Sequence, residues 1–179
     1  MAIRIKNMNK LDKVRKQHEL AVATDFALFI STEREKYSVF ETPDPPDAIL
    51  KSEHGDYVWL EVTDVFRDAE EARVVYSYAT DSQNFYDRKA HVIVAPDMKV
   101  TSATIMRVEK KLEKDSYQKV TKKYGKGVLL LWIYDPLFTV STLQEIAHSF
   151  EGASLSSEYF ETIYIYWPDT TFRRFKKVL

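Results

Sequence analysis

The 179-residue chain has no cysteine, which excludes disulfide bonds, thiolate catalysis and cysteine-ligated zinc. Its four glycines form no glycine-rich phosphate loop, and neither a Gly-x-Ser-x-Gly elbow nor a His-Glu-x-x-His motif occurs. The four histidines are scattered, without the paired spacing of metal ligands. The common nucleophilic and zinc-dependent hydrolase sites therefore find no support in this sequence.

Long apolar runs are also missing. No run approaches the ~20 residues needed to span a bilayer, and residues 1–16 contain no apolar signal core. Hydrophobic residues make up 45% and charged residues 30%, as in ordinary globular proteins. We expect a cytoplasmic protein without a membrane partner, folded as a single domain over residues 1–179, a length that can bury roughly 70% of its unfolded surface.

Charge of either sign is not in large excess, since the net charge is −1. This balance argues against a constitutive, strongly basic nucleic-acid binder. The distribution is uneven, however: residues 41–71 hold ten acidic side chains and two basic ones, and residues 107–126 hold eight basic and three acidic ones. An acidic centre with basic flanks suits a metal site that also receives a phosphate backbone, although solvated helix faces give the same pattern.

The most informative stretch, residues 43–67, has the pattern of a β-hairpin. Asp47 opens a short apolar run, and Gly55 can supply the positive φ of the polar turn that follows. The second strand, residues 57–66, is rich in aromatic and β-branched residues. Glu61 stands in the middle of that apolar strand, where a carboxylate is costly unless it is paired. A hairpin that brings Asp47 and Glu61 together would provide a site for a hard divalent cation.

These residues carry a resemblance to a known family. Pro46-Asp47 followed by Glu61-Val62-Thr63 resembles the motif of the PD-(D/E)XK nuclease superfamily, whose fold is the restriction-endonuclease-like fold. That motif places Pro-Asp at the start of one strand and an acidic residue, any residue and a lysine on the next. Thr63 stands where the family has its lysine. Members with threonine at this position usually supply the lysine from the following helix.

Two choices remain within this motif. Asp44 also follows a proline, but Asp47 is preferred because the strand begins directly after it. Lys111 and Lys114 are candidates for the displaced lysine, since residues three apart can share one shoulder of a helix; Lys110 is less favoured. The spacing alone does not decide among the three lysines.

The resemblance implies a nuclease that hydrolyses phosphodiester bonds, with DNA favoured over RNA as the substrate. It implies that Mg²⁺ or Mn²⁺ is held by Asp47, Glu61 and the main-chain carbonyl of Val62. Thr63 would hydrogen-bond a ligand water, and Lys111 or Lys114 would orient the attacking hydroxide. Two alternatives stay open: an inactive nuclease-like module of the immunity or mobile-element accessory type, and a nucleic-acid binder without chemistry. A homodimer or a partner protein is compatible with each.

Periodicity and capping residues predict the order of the other elements. The expected order is helix, three strands, helix, strand, helix and strand (αβββαβαβ), a mixed α/β sandwich, which the nuclease-like fold also requires. The expected elements are a helix over 9–30, a strand over 37–41, the hairpin, a long helix over 102–124 capped by Ser102, a strand over 128–134, a helix over 141–150 and a strand over 159–167.

Residues 67–100 are the least readable part of the chain and are interpreted as a family-specific insertion. Residues 68–78 fit either a helix or a strand, whereas 91–95 have the pattern of a short buried strand. The segment also contains four aromatic residues that could stack on bases or serve as packing anchors: Tyr76, Tyr78, Phe85 and Tyr86.

Overall fold

The computed structural model describes residues 9–79, 96–135, 137–152, 157–168 and 173–179. Within them, helices and a six-stranded mixed sheet confirm the predicted α/β class. The α-helices are α1 (Lys10–Ile30), α2 (Ala69–Ala79), α3 (Pro96–Leu112), α4 (Gln118–Tyr124) and α5 (Val140–Gly152), with a 3₁₀ turn at Asp115–Tyr117. The strands are β1 (Tyr37–Glu41), β2 (Ala48–Ser52), β3 (Tyr57–Val65), β4 (Gly127–Ile133), β5 (Phe160–Pro168) and β6 (Arg173–Lys177).

The strands lie in the sheet in their chain order, β1 to β6. β1, β2 and β3 are antiparallel neighbours, β3, β4 and β5 run parallel, and β6 returns antiparallel to β5. Parallel neighbours require crossover connections, and the helices between β3 and β5 belong to those connections. The apolar strand β4 is therefore central, as its uninterrupted hydrophobic sequence predicts.

Each face of the sheet buries its own apolar core, because alternate strand residues point to opposite faces. One core packs β-strand side chains against Val22 and Phe26 of α1. The other packs Trp59 of β3 against residues of α3 and α5, including Val108 and Ile146. This alternation puts Trp59, Glu61, Thr63 and Val65 on the α3 face and Leu60, Val62 and Asp64 on the α1 face. Glu61 thus projects toward α3.

Three local sequence signals lie where they are expected: a helix N-cap and two glycines with positive φ. The Asp12 N–H donates to Asn9 Oδ1 at 2.8 Å, so Asn9 caps α1. Gly55 has φ +96° in the hairpin turn, and Gly125 has φ +80° directly after α4. Both backbone conformations favour glycine, which explains why the hairpin and the end of α4 fall where the sequence predicts.

The single long helix predicted over 102–124 is wrong. α3 begins earlier, at Pro96, and ends at Leu112, and a 3₁₀ turn and α4 follow. No glycine or proline within 102–124 marks this break. Tyr117, which is fully buried, stacks on Trp59 with ring centroids 5.7 Å apart. Burial of this ring overrides the helix propensity of the segment.

Other expectations have mixed outcomes. Residues 68–78, left open between helix and strand, lie mostly in α2, whereas β6 was not predicted. The strand expected over 91–95 lies outside the described residues, as do Phe85, Tyr86 and the side chain of Tyr78. In the part of the chain that the structure describes, no helix has an apolar stretch long enough to cross a membrane.

Candidate metal centre at the open edge of β3

The register of the β2–β3 hairpin brings Asp47 and Glu61 together. Ala48 pairs with Leu60 and Ile49 with Trp59, so the same register continued by one residue sets Asp47 opposite Glu61. Residues directly opposite one another project from the same face, with Cβ atoms roughly 5 Å apart. Both residues are buried, with 8% and 5% of their surface exposed. Two carboxylates thus meet where β2 begins.

A hydrogen bond fixes Asp47 at this point. β2 begins at Ala48, opposite Leu60, so β3 has no strand on that edge beyond Leu60, and Asp47 Oδ2 instead accepts the Val62 N–H at 2.8 Å. The N–H and C=O of one strand residue point to the same side of the strand. The Val62 carbonyl therefore faces the same open edge as Asp47. Asp44, the rival carboxylate, has 79% of its side chain exposed.

Of the three candidate lysines, Lys111 reaches the carboxylates. It lies in the last turn of α3, and its Nζ contacts Glu61 Oε1. Lys114 is exposed and lies beyond the end of α3, before the 3₁₀ turn. Lys110 is also exposed. The geometry therefore favours Lys111 among the three candidate lysines.

Burial and like charge shift the pKa of Asp47. Its pKa is raised to about 7, chiefly because the side chain is buried and then because Glu61 and Glu19 place negative charge nearby. The hydrogen bond from Val62 and the charge of Lys111 oppose this shift. Because burial and like charge both disfavour the ionised form, a positive charge placed beside these carboxylates would lower the pKa of Asp47.

Glu19 and Lys16 of α1 complete the charged cluster. Lys16 Nζ lies 3.0 Å from Glu19 Oε2 and 3.8 Å from Asp47 Oδ1. The pKa of Glu19 is also raised, first by burial, although Lys16 lowers it. With Glu61 and Lys111, the cluster has three carboxylates and two ammonium groups, one negative charge in excess when all are ionised. A divalent cation would turn this into an excess of one positive charge, which attracts a phosphate.

Glu61 Oε2 and Thr63 Oγ1 are buried at this site, and neither atom makes a hydrogen bond with another described residue. The pKa of Tyr117 is raised by burial first, then by the charge of Glu61 and by a hydrogen bond to it, so the Tyr117 hydroxyl lies against that carboxylate. Buried polar atoms are normally hydrogen-bonded, to protein or to water. These atoms therefore suit a site that takes up an ion with its ligand waters.

The donor atoms fit a hard divalent cation. Among the described residues, no group of three or more histidine, aspartate or glutamate side chains is placed to hold a metal. The available set is instead two carboxylates, Asp47 and Glu61, and the main-chain carbonyl of Val62. All are oxygen ligands, which Mg²⁺ and Mn²⁺ prefer, and Mg²⁺ is commonly held by one or two carboxylates with waters and phosphate oxygens.

A cleft of about 340 Å³ opens beside the carboxylates. Its walls carry Arg15 and Glu19 of α1, Tyr76 of α2, and Arg107 and Lys111 of α3, and its floor includes Thr63. The volume is at the lower end of the roughly 300–1,000 Å³ of small-ligand sites. Glu19, Thr63 and Lys111 thus belong both to the candidate metal centre and to the cleft.

A hydrogen-bonded network lines the far side of the cleft. Tyr76 donates its hydroxyl to Asp64 Oδ2 at 2.7 Å, and His18 Nε2 lies 3.0 Å from Asp64 Oδ1. The Arg15 guanidinium stands 5.1 Å from the centroid of the Tyr76 ring. These contacts tie α1, β3 and α2 together around one wall.

Sequence reasoning missed several of these residues. Lys16, Arg15 and Arg107 are ordinary helix cations in the sequence, and nothing there distinguishes Tyr117 from the other ten of the eleven tyrosines. Each joins the site only through the packing of its helix against β3.

No protein-family model, curated protein or solved structure matches this chain.

Proposed function

We propose that this chain is a divalent-metal-dependent nuclease of the PD-(D/E)XK type, which hydrolyses phosphodiester bonds, with DNA favoured as the substrate. One observation carries the proposal: Asp47 and Glu61 converge across the hairpin while Lys111 of α3 contacts Glu61. The order of the elements supports it, because the described helices and strands follow the expected αβββαβαβ order with α2, α4 and β6 added.

In this proposal Asp47, Glu61 and the Val62 carbonyl hold Mg²⁺ or Mn²⁺. When bound, the ion supplies Lewis-acid activation of water and of a phosphoryl oxygen. The shared geometry of the two carboxylates is set before binding, since the hairpin register and the Val62 N–H fix Asp47. The protein therefore spends little conformational entropy on assembling the site.

Lys111 and Thr63 act on the reacting groups. A water oxygen attacks phosphorus and gives up a proton, the bond to the leaving nucleoside oxygen breaks, and that oxygen takes up a proton in turn. The Lys111 ammonium stabilises the negative charge that develops on the phosphoryl oxygens. Thr63 Oγ1, which is buried without a hydrogen bond to another described residue, orients the attacking water in this proposal.

Cleavage of two substrates, a supercoiled plasmid and a circular single-stranded DNA, tests the proposal. We expect cleavage of at least one of them with Mg²⁺ or Mn²⁺ and none with EDTA. Asp47→Asn and Glu61→Gln should abolish it, and Lys111→Met should slow it about 100-fold or more. Asp44→Asn and Lys110→Met, which change exposed neighbours of the same types, are the matched controls. Wild-type protein that cuts neither substrate, or variants that cut like wild type, would contradict the proposal.

A non-catalytic binding module on the same fold is the second candidate. The Lys111–Glu61 contact favours it, because the ammonium group already compensates one buried carboxylate oxygen without an ion. Such a module would bind a partner and leave both DNA substrates intact, even if the two carboxylates still bound Mn²⁺.

A further inference from the structure

Two arginines face the cleft from opposite walls and take no part in the proposed cleavage chemistry. Arg15 belongs to α1 and Arg107 to α3, and both side chains are exposed and line the cleft. Among the described residues, no ion pair joins either guanidinium to a carboxylate. Guanidinium groups match the oxygens of a phosphate through paired hydrogen bonds. The cleft thus carries two guanidinium groups on the same lining as Lys111.

An aromatic wall adjoins this pair. Tyr76 is held by its hydrogen bond to Asp64 and by an edge contact with Phe66, whose ring centroid is 5.5 Å away. Arg15 lies over the Tyr76 ring at 5.1 Å. A nucleobase can stack on an aromatic ring or on a guanidinium plane, and every base has such a face. The wall therefore suits a base that is not already stacked in a double helix.

We propose that the cleft binds one unpaired nucleic-acid strand, with a backbone phosphate between Arg15 and Arg107 and the adjoining base against the Arg15–Tyr76 pair. This inference rests on the proposed nuclease function and names its substrate class: single-stranded nucleic acid. A duplex keeps its bases paired and stacked, so it cannot use the aromatic wall. Asp47 and Glu61, beside the cleft, are 8% and 5% exposed, so a phosphate reaches them only by entering between the helices.

Fluorescence anisotropy with a labelled 12-nucleotide single strand and its duplex, both in EDTA, tests the site without cleavage. We expect the single strand to bind about tenfold or more tightly than the duplex. Arg15→Ala and Arg107→Ala should each weaken single-strand binding about tenfold and reduce the salt slope by about 0.7. Lys110→Ala, which changes an exposed α3 cation outside the cleft lining, should leave the single-strand affinity and its salt slope unchanged. The same titration with DNA and RNA strands of equal sequence shows whether the site distinguishes deoxyribose from ribose.

The outcomes separate this inference from the proposed function. Loss of single-strand binding in both arginine variants, with no cleavage by the wild type, would support the strand site and overturn the nuclease. Cleavage of plasmid DNA with equal binding of single strand and duplex would support the nuclease and overturn the strand site. The strand site would also be overturned if the wild type did not bind the single strand, or if the wild type and the arginine variants bound it equally.

Discussion

Asp47 Oδ2 accepts a hydrogen bond from the backbone N–H of Val62 at 2.8 Å, at the residue directly before β2 begins. The side chain thereby takes the place of the next strand residue on the edge of β3. It also fixes the carboxylate beside Glu61, although like charge and burial both oppose an ionised carboxylate there. A strand edge that ends in a buried carboxylate is costly to stability and useful for binding a cation.

The raised pKa of Asp47 predicts that the metal-free protein loses stability as the pH rises. An aspartate in the unfolded chain has a pKa near 3.9, whereas that of folded Asp47 is about 7. Between these values the folded protein holds a proton that the unfolded chain has released, so the free energy of unfolding falls, by at most about 4 kcal/mol. Urea unfolding in EDTA should show Asp47→Asn free of this loss. If the free energy of unfolding depends on pH in the same way in the variant and the wild type, the raised pKa of Asp47 is contradicted.

Lys111 and Glu61 should be energetically coupled. Lys111→Met leaves the Glu61 carboxylate buried without its cation, and we expect the metal-free protein to lose roughly 3 kcal/mol. Adding Glu61→Gln removes that charge, so the double variant should lose less than the sum of the single losses, by about 1–3 kcal/mol. Urea unfolding in EDTA of the wild type, the two single variants and the double variant measures this coupling, with Lys110→Met as the control. Additive losses would show that the contact contributes nothing.

Arg67 should be irreplaceable by lysine. Its side chain is 1% exposed, Nη1 donates to Asp135 Oδ2 at 3.0 Å, and Nη2 donates to Glu71 Oε1 at 3.1 Å. Arg67→Met leaves two buried carboxylates unpaired and should cost about 3–5 kcal/mol. Arg67→Lys keeps the charge but lacks the planar fork that serves both partners, so it should recover only part of the loss. Thermal unfolding that matches wild type in the lysine variant would refute this.

Gly127 should tolerate no side chain. A Cβ placed there would lie 2.2 Å from Cδ2 of Trp59, and Trp59 is fixed because its Nε1–H donates to the Gly125 carbonyl at 2.8 Å. Gly127→Ala should therefore destabilise the protein by about 3 kcal/mol. Gly55→Ala, which meets open space and carries only the strain of its positive φ, should cost about 1–2 kcal/mol. Thermal unfolding compares the two; an equal or smaller effect at Gly127 would contradict the packing argument.

The sequence predicts those parts of the site that depend on local structure. The hairpin follows from Gly55 and the apolar runs on either side of it, and its register then sets Asp47 opposite Glu61. The choice of Asp47 over Asp44 follows from where the strand begins. Each of these signals acts within about 20 residues of sequence, where turn and strand preferences are informative.

Contacts between distant elements could not be predicted in the same way. Whether Lys111 or Lys114 reaches Glu61 depends on where α3 ends, and that end is set by the burial of Tyr117 rather than by a glycine or proline. Arg15 and Arg107 become neighbours of one cleft only through the packing of two helices. Helix propensity does not report which helical face a neighbouring strand will cover.

Calorimetric titration of Mn²⁺ into the metal-free protein tests the central claim, that Asp47 and Glu61 clamp one divalent ion. The wild type and Asp44→Asn should each bind one Mn²⁺ per chain with the same affinity, which should rise with pH as the Asp47 proton is displaced. Asp47→Asn and Glu61→Gln should each bind about 10–100-fold more weakly or not at all. Absence of binding to the wild type, or equal affinity in all four proteins, would contradict the account.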